Sequence, residues 1–293
     1  MEQSIIDIHS HILFGVDDGA KNIEESITLL RQAEKLGITD IVCSSHFYLG
    51  RYENKDYNKN FEILKNEVKK QGIKIRIYKG NELALFGDVL SKVENINTIN
   101  NSKYVLVELR RGFIFSLYKG FLQKLIDLGY KPILAHIERY PFIKFNEFIE
   151  LYNMGVIFQM NIKTVKSLTP KMKHFLIEGY VKVVATDVHN TEFRNYELQI
   201  YFDELEKLVG ESRVKELAYE NPKKILNNED IILVEIKGAN DEVTKINSSS
   251  GLFKSIWNKL FGRAWVRWSY IKSKGRKFWD KNSRNEYRNP KER

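Results

Sequence analysis

Short runs rich in valine and isoleucine alternate with amphipathic stretches from residue 5 to residue 233, and that alternation limits the fold more than any other feature of the chain. The runs are IIDIHS (5–10), DIVCSS (40–45), IKIRIYKGNEL (73–83), YVLVEL (104–109), PILAHI (132–137), VIFQMNI (156–162) and VKVVATDVH (181–189). They are mostly apolar on both faces, the pattern of parallel strands covered on both sides. Helices are predicted between them at 23–36, 57–70, 117–128, 144–153, 171–178 and 195–208. In the first, Asn22 is placed to cap and Glu25 follows three residues on. Ile27, Leu30, Ala33 and Leu36 recur at helical spacing, and Gly37 ends the segment. Seven βα units predict an α/β domain, either a barrel or a doubly wound sheet.

The net charge of +9 needs locating before it means anything. Residues 238–293 hold 14 of the 47 basic and 5 of the 38 acidic side chains, so the excess belongs to them and the remainder is neutral. Trp257, Trp265, Trp268 and Trp279, all the tryptophans of the chain, lie in the same stretch. The expected division is a body, 1–237, a Gly/Ser-containing flexible linker, 238–250, and a basic Trp-rich amphipathic tail, 251–293. In the tail, Leu252, Ile256, Leu260, Ala264 and Trp268 form one row, with Phe253, Trp257, Phe261 and Trp265 beside it. Lys254, Lys259, Arg263 and Arg267 occupy much of the rest. The N-terminus lacks a basic region and a long apolar core, so no signal peptide is expected. No run approaches the ~18 apolar residues of a membrane helix. A single cysteine, Cys43, excludes an internal disulfide and reads as a small buried residue.

The chemistry-bearing residues fall at the ends of the β-like runs. His9 and His11 sit in Asp-Ile-His-Ser-His, His46 follows the second run, His136 ends the fifth, and Asp187 and His189 end the seventh. Glu82 and Glu108 occupy equivalent points, and Asp17 and Asp18 lie on the loop after the first run. Alternate strand residues share a face, and parallel strands open their C-terminal ends onto one mouth. Residues 180 apart in sequence can therefore meet. A lone strand-end histidine is ordinarily structural; the repetition at strand after strand points to a metal centre. Imidazole with carboxylate suits Mn, Fe or Zn, and so many groups suit two or three ions. His174, in a helical segment without an acidic pattern, reads as structural. Arg139, three residues past His136, and Arg194, five past His189, add an anion site that phosphate fits best.

On these stretches the sequence resembles the PHP (polymerase and histidinol phosphatase) family, and more narrowly the PHP-type protein-tyrosine phosphatases of bacterial capsule and exopolysaccharide systems. DIHSHILFGVDDGAKNIEES, SSHFYLGRY, GNEL, YVLVEL, PILAHIERY, ATDVHN and NPKKIL carry the likeness, in order, over about residues 5–227. The resemblance implies a distorted (β/α)7 TIM-like barrel and a trinuclear metal site. Its ligands would be His9, His11, Asp18, His46, Glu82, Glu108, His136, Asp187 and His189, with Asp18 preferred to Asp17 by position. Arg139 and Arg194 match the phosphate-binding arginines of the family.

The implied reaction is hydrolysis of phosphotyrosine by a metal-bound hydroxide, with Mn the first choice of metal. The implied substrate is a protein, a bacterial tyrosine kinase that regulates polysaccharide export. A small-molecule phosphoesterase such as a histidinol-phosphate phosphatase is the alternative, and a metal-bearing docking protein with little catalysis is a third. The body is expected in the cytoplasm. For the tail, adsorption to an anionic membrane surface leads, which would hold the protein at the inner face. Docking on the body or a second subunit comes next, and nucleic acid last. By resemblance, Glu24, Glu25 and Ser26 are a homo-oligomer contact.

Overall fold

The apolar runs become parallel strands because their branched side chains pack on both faces of a sheet. In a computed structural model, residues 4–110, 112 and 114–233 are described; the linker 238–250 and the tail 251–293 lie outside them. The strands among the described residues are β1 (Ile5–Ser10), β2 (Ile38–Cys43), β3 (His46–Phe47), β4 (Arg76–Lys79), β5 (Glu82–Leu85), β6 (Tyr104–Leu109), β7 (Lys131–Leu134), β8 (Ile157–Asn161) and β9 (Val181–Ala185). The helices are α1 (Ile23–Lys35), α2 (Tyr57–Lys70), α3 (Phe115–Asp127), α4 (Phe145–Asn153), α5 (Pro170–Ile177), α6 (Gln199–Val209), α7 (Glu211–Lys215) and α8 (Asn221–Leu226). No helix among the described residues is long and apolar enough to cross a membrane.

All ladders between these strands are parallel, in a sheet ordered β1-β2-β4 and another ordered β3-β5-β6-β7-β8-β9. The two sheets meet at both ends. Past β9, Asp187 N–H donates to His9 O at 2.7 Å, and His11 N–H donates to Val188 O at 2.8 Å. On the other side, Glu82 N–H is shared by Ser44 O at 3.1 Å and Ser45 O at 3.0 Å. Ile6, Ile8, Val42, Leu106, Ile133 and Val183 fill the core from the strands, closed by Ile225 and Leu226 of α8. Each such burial is worth roughly 1.5–3 kcal/mol.

Two expectations change. The run 73–83 is two strands, not one, because the chain leaves β2's sheet at Gly80–Asn81 and joins β6's. β7 and β9 stop before their histidines: His136 (φ 34°) and Asp187 (φ 56°) adopt left-handed backbone, which ends extended structure. Asp187 and His189 are thus loop residues rather than alternate residues of a strand. Of the Glu24–Ser26 segment, Ser26 is buried and donates to Ile12 O at 2.6 Å, and Glu25 accepts from Lys21 N–H at 2.9 Å. Only Glu24 is left fully exposed there. The cap on α1 is as expected, Asn22 Oδ1 accepting from Glu25 N–H at 2.9 Å.

Candidate metal centre

Strand alternation sends His9 and His11 into the same space at the strand ends, where both are fully buried. The loop after β1 folds back under them. Gly19 makes this fold possible, since a Cβ there would stand 2.1 Å from His11 O. Asp17 then turns inward and accepts from Gly19 N–H at 2.9 Å and from His46 N–H at 2.8 Å. Its Oδ2 lies 2.7 Å from His11 Nδ1, so it orients His11 from behind. Asp18 points the other way, to the open side, with Oδ1 at 3.4 Å from His46 Nε2 and 3.6 Å from His189 Nε2.

Glu82 is the centre of the arrangement. Its Oε2 lies 3.3 Å from His9 Nε2, 3.3 Å from His11 Nε2 and 3.1 Å from His46 Nδ1, while Oε1 lies 2.8 Å from His136 Nε2. Ligand-capable atoms gather in overlapping sets: His11, Asp18, His46 and His189; His9, His136 and Asp187; His9, His11 and Glu82; Glu82, Glu108 and His136. Within each set they lie within 4.8 Å of one another. His9, His11, Glu82 and His136 are shared, so the sets form one cluster of every histidine, aspartate and glutamate expected as a ligand. His174 lies apart, among the rings of Phe145, Phe175 and Tyr180.

The charges suit a cation cluster. Burial alone would raise the Glu82 carboxyl, but His9, His46 and His136 hold it well below the usual range. Asp187 is likewise lowered, burial being outweighed by His9, Arg139, His11 and Arg194. Burial and the His11 charge push His189 down to about 2, and burial also lowers His136, leaving both as neutral imidazoles able to donate a lone pair. Burial would lower His11 too, but Asp17 and Glu82 hold it up at about 10. Burial and the neighbouring Glu82 push Glu108 up to about 7. His46 Nδ1 is buried without a hydrogen bond despite its closeness to Glu82. The ionised oxygens of Glu82 and Asp187, the neutral nitrogens of His136 and His189 and the orphaned His46 nitrogen suit divalent cations, whose binding would displace the protons held on His11 and Glu108.

Both expected arginines reach this cluster. Arg139 Nη2 donates to Asp187 Oδ2, and Arg194 Nη2 lies 2.5 Å from Asp187 Oδ1. Each keeps a solvent-facing edge, with 46% and 36% of the side chain exposed. Arg194 is held by an Asn190 turn, whose Oδ1 accepts from the backbone N–H of Glu192, Phe193 and Arg194 at 3.1, 2.9 and 3.2 Å. Cys43 is buried, and burial pushes its thiol up, away from nucleophilic chemistry.

Three supporting residues went unread. Asp7 is fully buried and accepts from Thr186 Oγ1 at 2.6 Å, Thr186 N–H at 3.1 Å and Tyr196 Oη at 3.0 Å, tying β1 to the loop after β9. Gln159 and Asn161 lie beneath the cluster. Their signal was present in VIFQMNI: two amides at i and i+2, one face of an otherwise apolar buried strand.

A family model for capsular polysaccharide synthesis proteins of the CpsB/CapC type matches residues 5–227. The tyrosine-protein phosphatase CpsB of Streptococcus agalactiae is 34% identical over 240 residues, which span 76% of this chain and 99% of that protein. The tyrosine-protein phosphatase YwqE of Bacillus subtilis is 31% identical over 243 residues, 78% of this chain and 93% of that one. Among solved structures, one from a study of YwqE of Bacillus subtilis and CpsB of Streptococcus pneumoniae, described as unique metal-dependent tyrosine phosphatases, superposes with a TM-score of 0.71 at 26% identity. It covers 79% of this chain and 98% of that one. An amidohydrolase from Mycoplasma synoviae, at 13% identity and a TM-score of 0.53, shares the fold alone.

Proposed function

The chain belongs to the CpsB/CapC capsular polysaccharide synthesis family, and from that membership we propose that it is a metal-dependent protein-tyrosine phosphatase acting on a regulator of capsule or exopolysaccharide synthesis. The observation that carries it is the meeting of Arg139 and Arg194 with the imidazole–carboxylate cluster at Asp187. The strands are taken as the staves of a distorted (β/α)7 barrel of the PHP type, with the cluster at its mouth. His9, His11, Asp18, His46, Glu82, Glu108, His136, Asp187 and His189 would hold two or three divalent cations, manganese first, with iron or zinc as substitutes. Bound there, the cations would supply Lewis acidity and a lowered pKa for nearby water.

The protein's own groups do the rest. Arg139 and Arg194 grip the non-transferred oxygens of the phosphate and match the charge that spreads over them. Asp187 fixes both guanidinium groups in advance, so they need little reorganisation during the reaction. Tyrosine leaves as a phenolate, whose conjugate acid has a pKa of about 10, so a strong general acid is not required. A protein substrate, rather than an enclosed metabolite, fits the rim. Phe86, Ile114, Phe142 and Phe193 stand exposed on the loops after β5, β6, β7 and β9. The natural substrate is taken to be a bacterial tyrosine kinase. The enzyme would work in the cytoplasm, with the 251–293 segment adsorbing to the anionic inner face of the membrane.

Phosphate release from a phosphotyrosyl peptide and from histidinol phosphate, each with Mn²⁺ and after chelation, tests this function. Hydrolysis of the peptide, dependent on metal, is expected. Preference for histidinol phosphate would assign a metabolite phosphatase instead.

A further inference from the structure

Gln159 and Asn161 are buried, and their side chains join three residues of the cluster. The orientation of each amide can be derived. The backbone N–H of His136 can only donate, and it lies 2.8 Å from one side-chain atom of Gln159, so that atom is the oxygen, Oε1. The same Oε1 lies 3.1 Å from His9 Nδ1. An acceptor at that distance requires the proton of a neutral His9 to sit on Nδ1. The lone pair is then on Nε2, which faces Glu82 Oε2 at 3.3 Å and Asp187 Oδ1 at 3.4 Å.

The remaining links follow. Gln159 Nε2 donates to Asn161 Oδ1 at 2.9 Å, which leaves Asn161 Nδ2 to donate to Asp187 Oδ2 at 2.8 Å. The path therefore runs from the His136 backbone through two buried amides to the Asp187 carboxylate, with His9 attached at its first acceptor. His9, His136 and Asp187 are also one of the ligand-capable sets. Two of the three, His136 and Asp187, have left-handed backbone, a strained conformation that persists only where surrounding contacts enforce it. Gln159 is fully buried and Asn161 nearly so, so neither loses its partner to water.

We propose that Gln159 and Asn161 are positioning residues that preset the cation site: Gln159 fixes the His9 tautomer and the His136 turn, and Asn161 aims the Asp187 carboxylate. The inference rests on the metal function above. On that footing, affinity for a cation held by His9, His136 and Asp187 would depend on the amides that position those side chains. Outer partners of this kind typically govern roughly 10- to 100-fold in metal affinity.

The test uses the full chain, with Mn²⁺ as probe. Mn²⁺ binding is titrated by electron paramagnetic resonance for the wild type, Gln159→Met and Asn161→Leu, alongside the thermal midpoint of each metal-free protein. A loss of roughly 10- to 100-fold in the affinity of one class of site, the other sites being retained, is expected for both variants. Wild-type affinity in either folded variant overturns the proposal. A measurement on the wild type alone covers the case of a variant that does not fold. Long-range ¹H–¹⁵N correlation spectra of the Zn²⁺-loaded wild type should show the remaining His9 proton on Nδ1, and a proton on Nε2 overturns it. If the wild type bound no Mn²⁺ at all, the metal function itself would fail. Binding that is equal in wild type and variants removes only the role of the amides.

Discussion

His136 and Asp187 concentrate what single residues do in this molecule. Each follows a strand by two residues and turns the chain into left-handed backbone, so its side chain faces inward rather than along the ladder. His136→Ala should abolish phosphotyrosyl peptide hydrolysis and lower the number of Mn²⁺ ions retained after desalting. Full turnover in that variant would remove it from the site. Arg194→Ala should lower kcat/KM by roughly 10²–10³-fold while Mn²⁺ content stays at the wild-type level, because it acts on phosphate oxygens. Lost metal with unchanged kcat/KM would reverse that assignment. At this scale the histidines were legible because imidazole is scarce and recurs at strand ends. The choice between Asp17 and Asp18 had only position to go on: adjacent carboxylates on a loop are told apart by where the loop turns. Here the Gly19 approach to His11 swings Asp17 behind the imidazole and Asp18 to the open side.

The element that matters most is the break between β4 and β5. Gly80 N–H donates to Tyr57 Oη at 3.1 Å. Asn81 Oδ1 accepts from Asn54 Nδ2 at 2.8 Å and Asn97 N–H at 2.7 Å, and its Nδ2 donates to Ser45 O at 2.9 Å. These bonds carry the chain from one sheet to the other and deliver Glu82 to the centre of the cluster. Asn81→Leu should cost about 1–3 kcal/mol by urea unfolding, since it strands buried partners, and should also weaken Mn²⁺ binding. A stability within about 0.5 kcal/mol of the wild type would count against this role. The break was not visible in IKIRIYKGNEL because both halves have strand composition, and the change of partner is a tertiary event. The two-residue β3 was missed for the same reason: it exists only through pairing with β5. On β2, the Asp40 carboxyl is buried, which alone would raise it. Hydrogen bonds from Arg76 at 2.7 and 2.8 Å, with Thr39 and Tyr78, hold it below the usual carboxylate range. A folded pKa below the unfolded value of about 3.9 stabilises the fold above that pH, and the gain is lost as pH falls through the folded pKa. The stability difference between wild type and Asp40→Asn should therefore be largest near neutrality and shrink toward pH 3. A difference independent of pH would contradict the pairing.

Across the whole molecule, parallel topology converts sequence distance into proximity. His9 and His189 stand 180 residues apart in sequence, and β1 lies beside the loop after β9 through the Asp187–His9 and His11–Val188 backbone bonds. The strand runs and their burial were legible because the Val/Ile pattern marks segments covered on both faces, whereas their order in the sheets was left open between a barrel and a doubly wound sheet. The two amides of VIFQMNI left a signal in the sequence, but the partners of Gln159 and Asn161 appear only once β8 stands between β7 and β9. The 251–293 segment, outside the matched residues 5–227, belongs to this scale too. The full chain should co-sediment with anionic vesicles and a chain ending at residue 250 should not; equal sedimentation would leave the segment without a membrane role. The central claim is that one cluster of imidazoles and carboxylates holds the working cations. Anomalous diffraction at the manganese edge, from crystals of the Mn²⁺-loaded active enzyme, tests it most directly. Two or three peaks should lie among His9, His46, Glu82, His136 and Asp187, whereas an active enzyme with no peak there, or with manganese bound only elsewhere, would contradict the account.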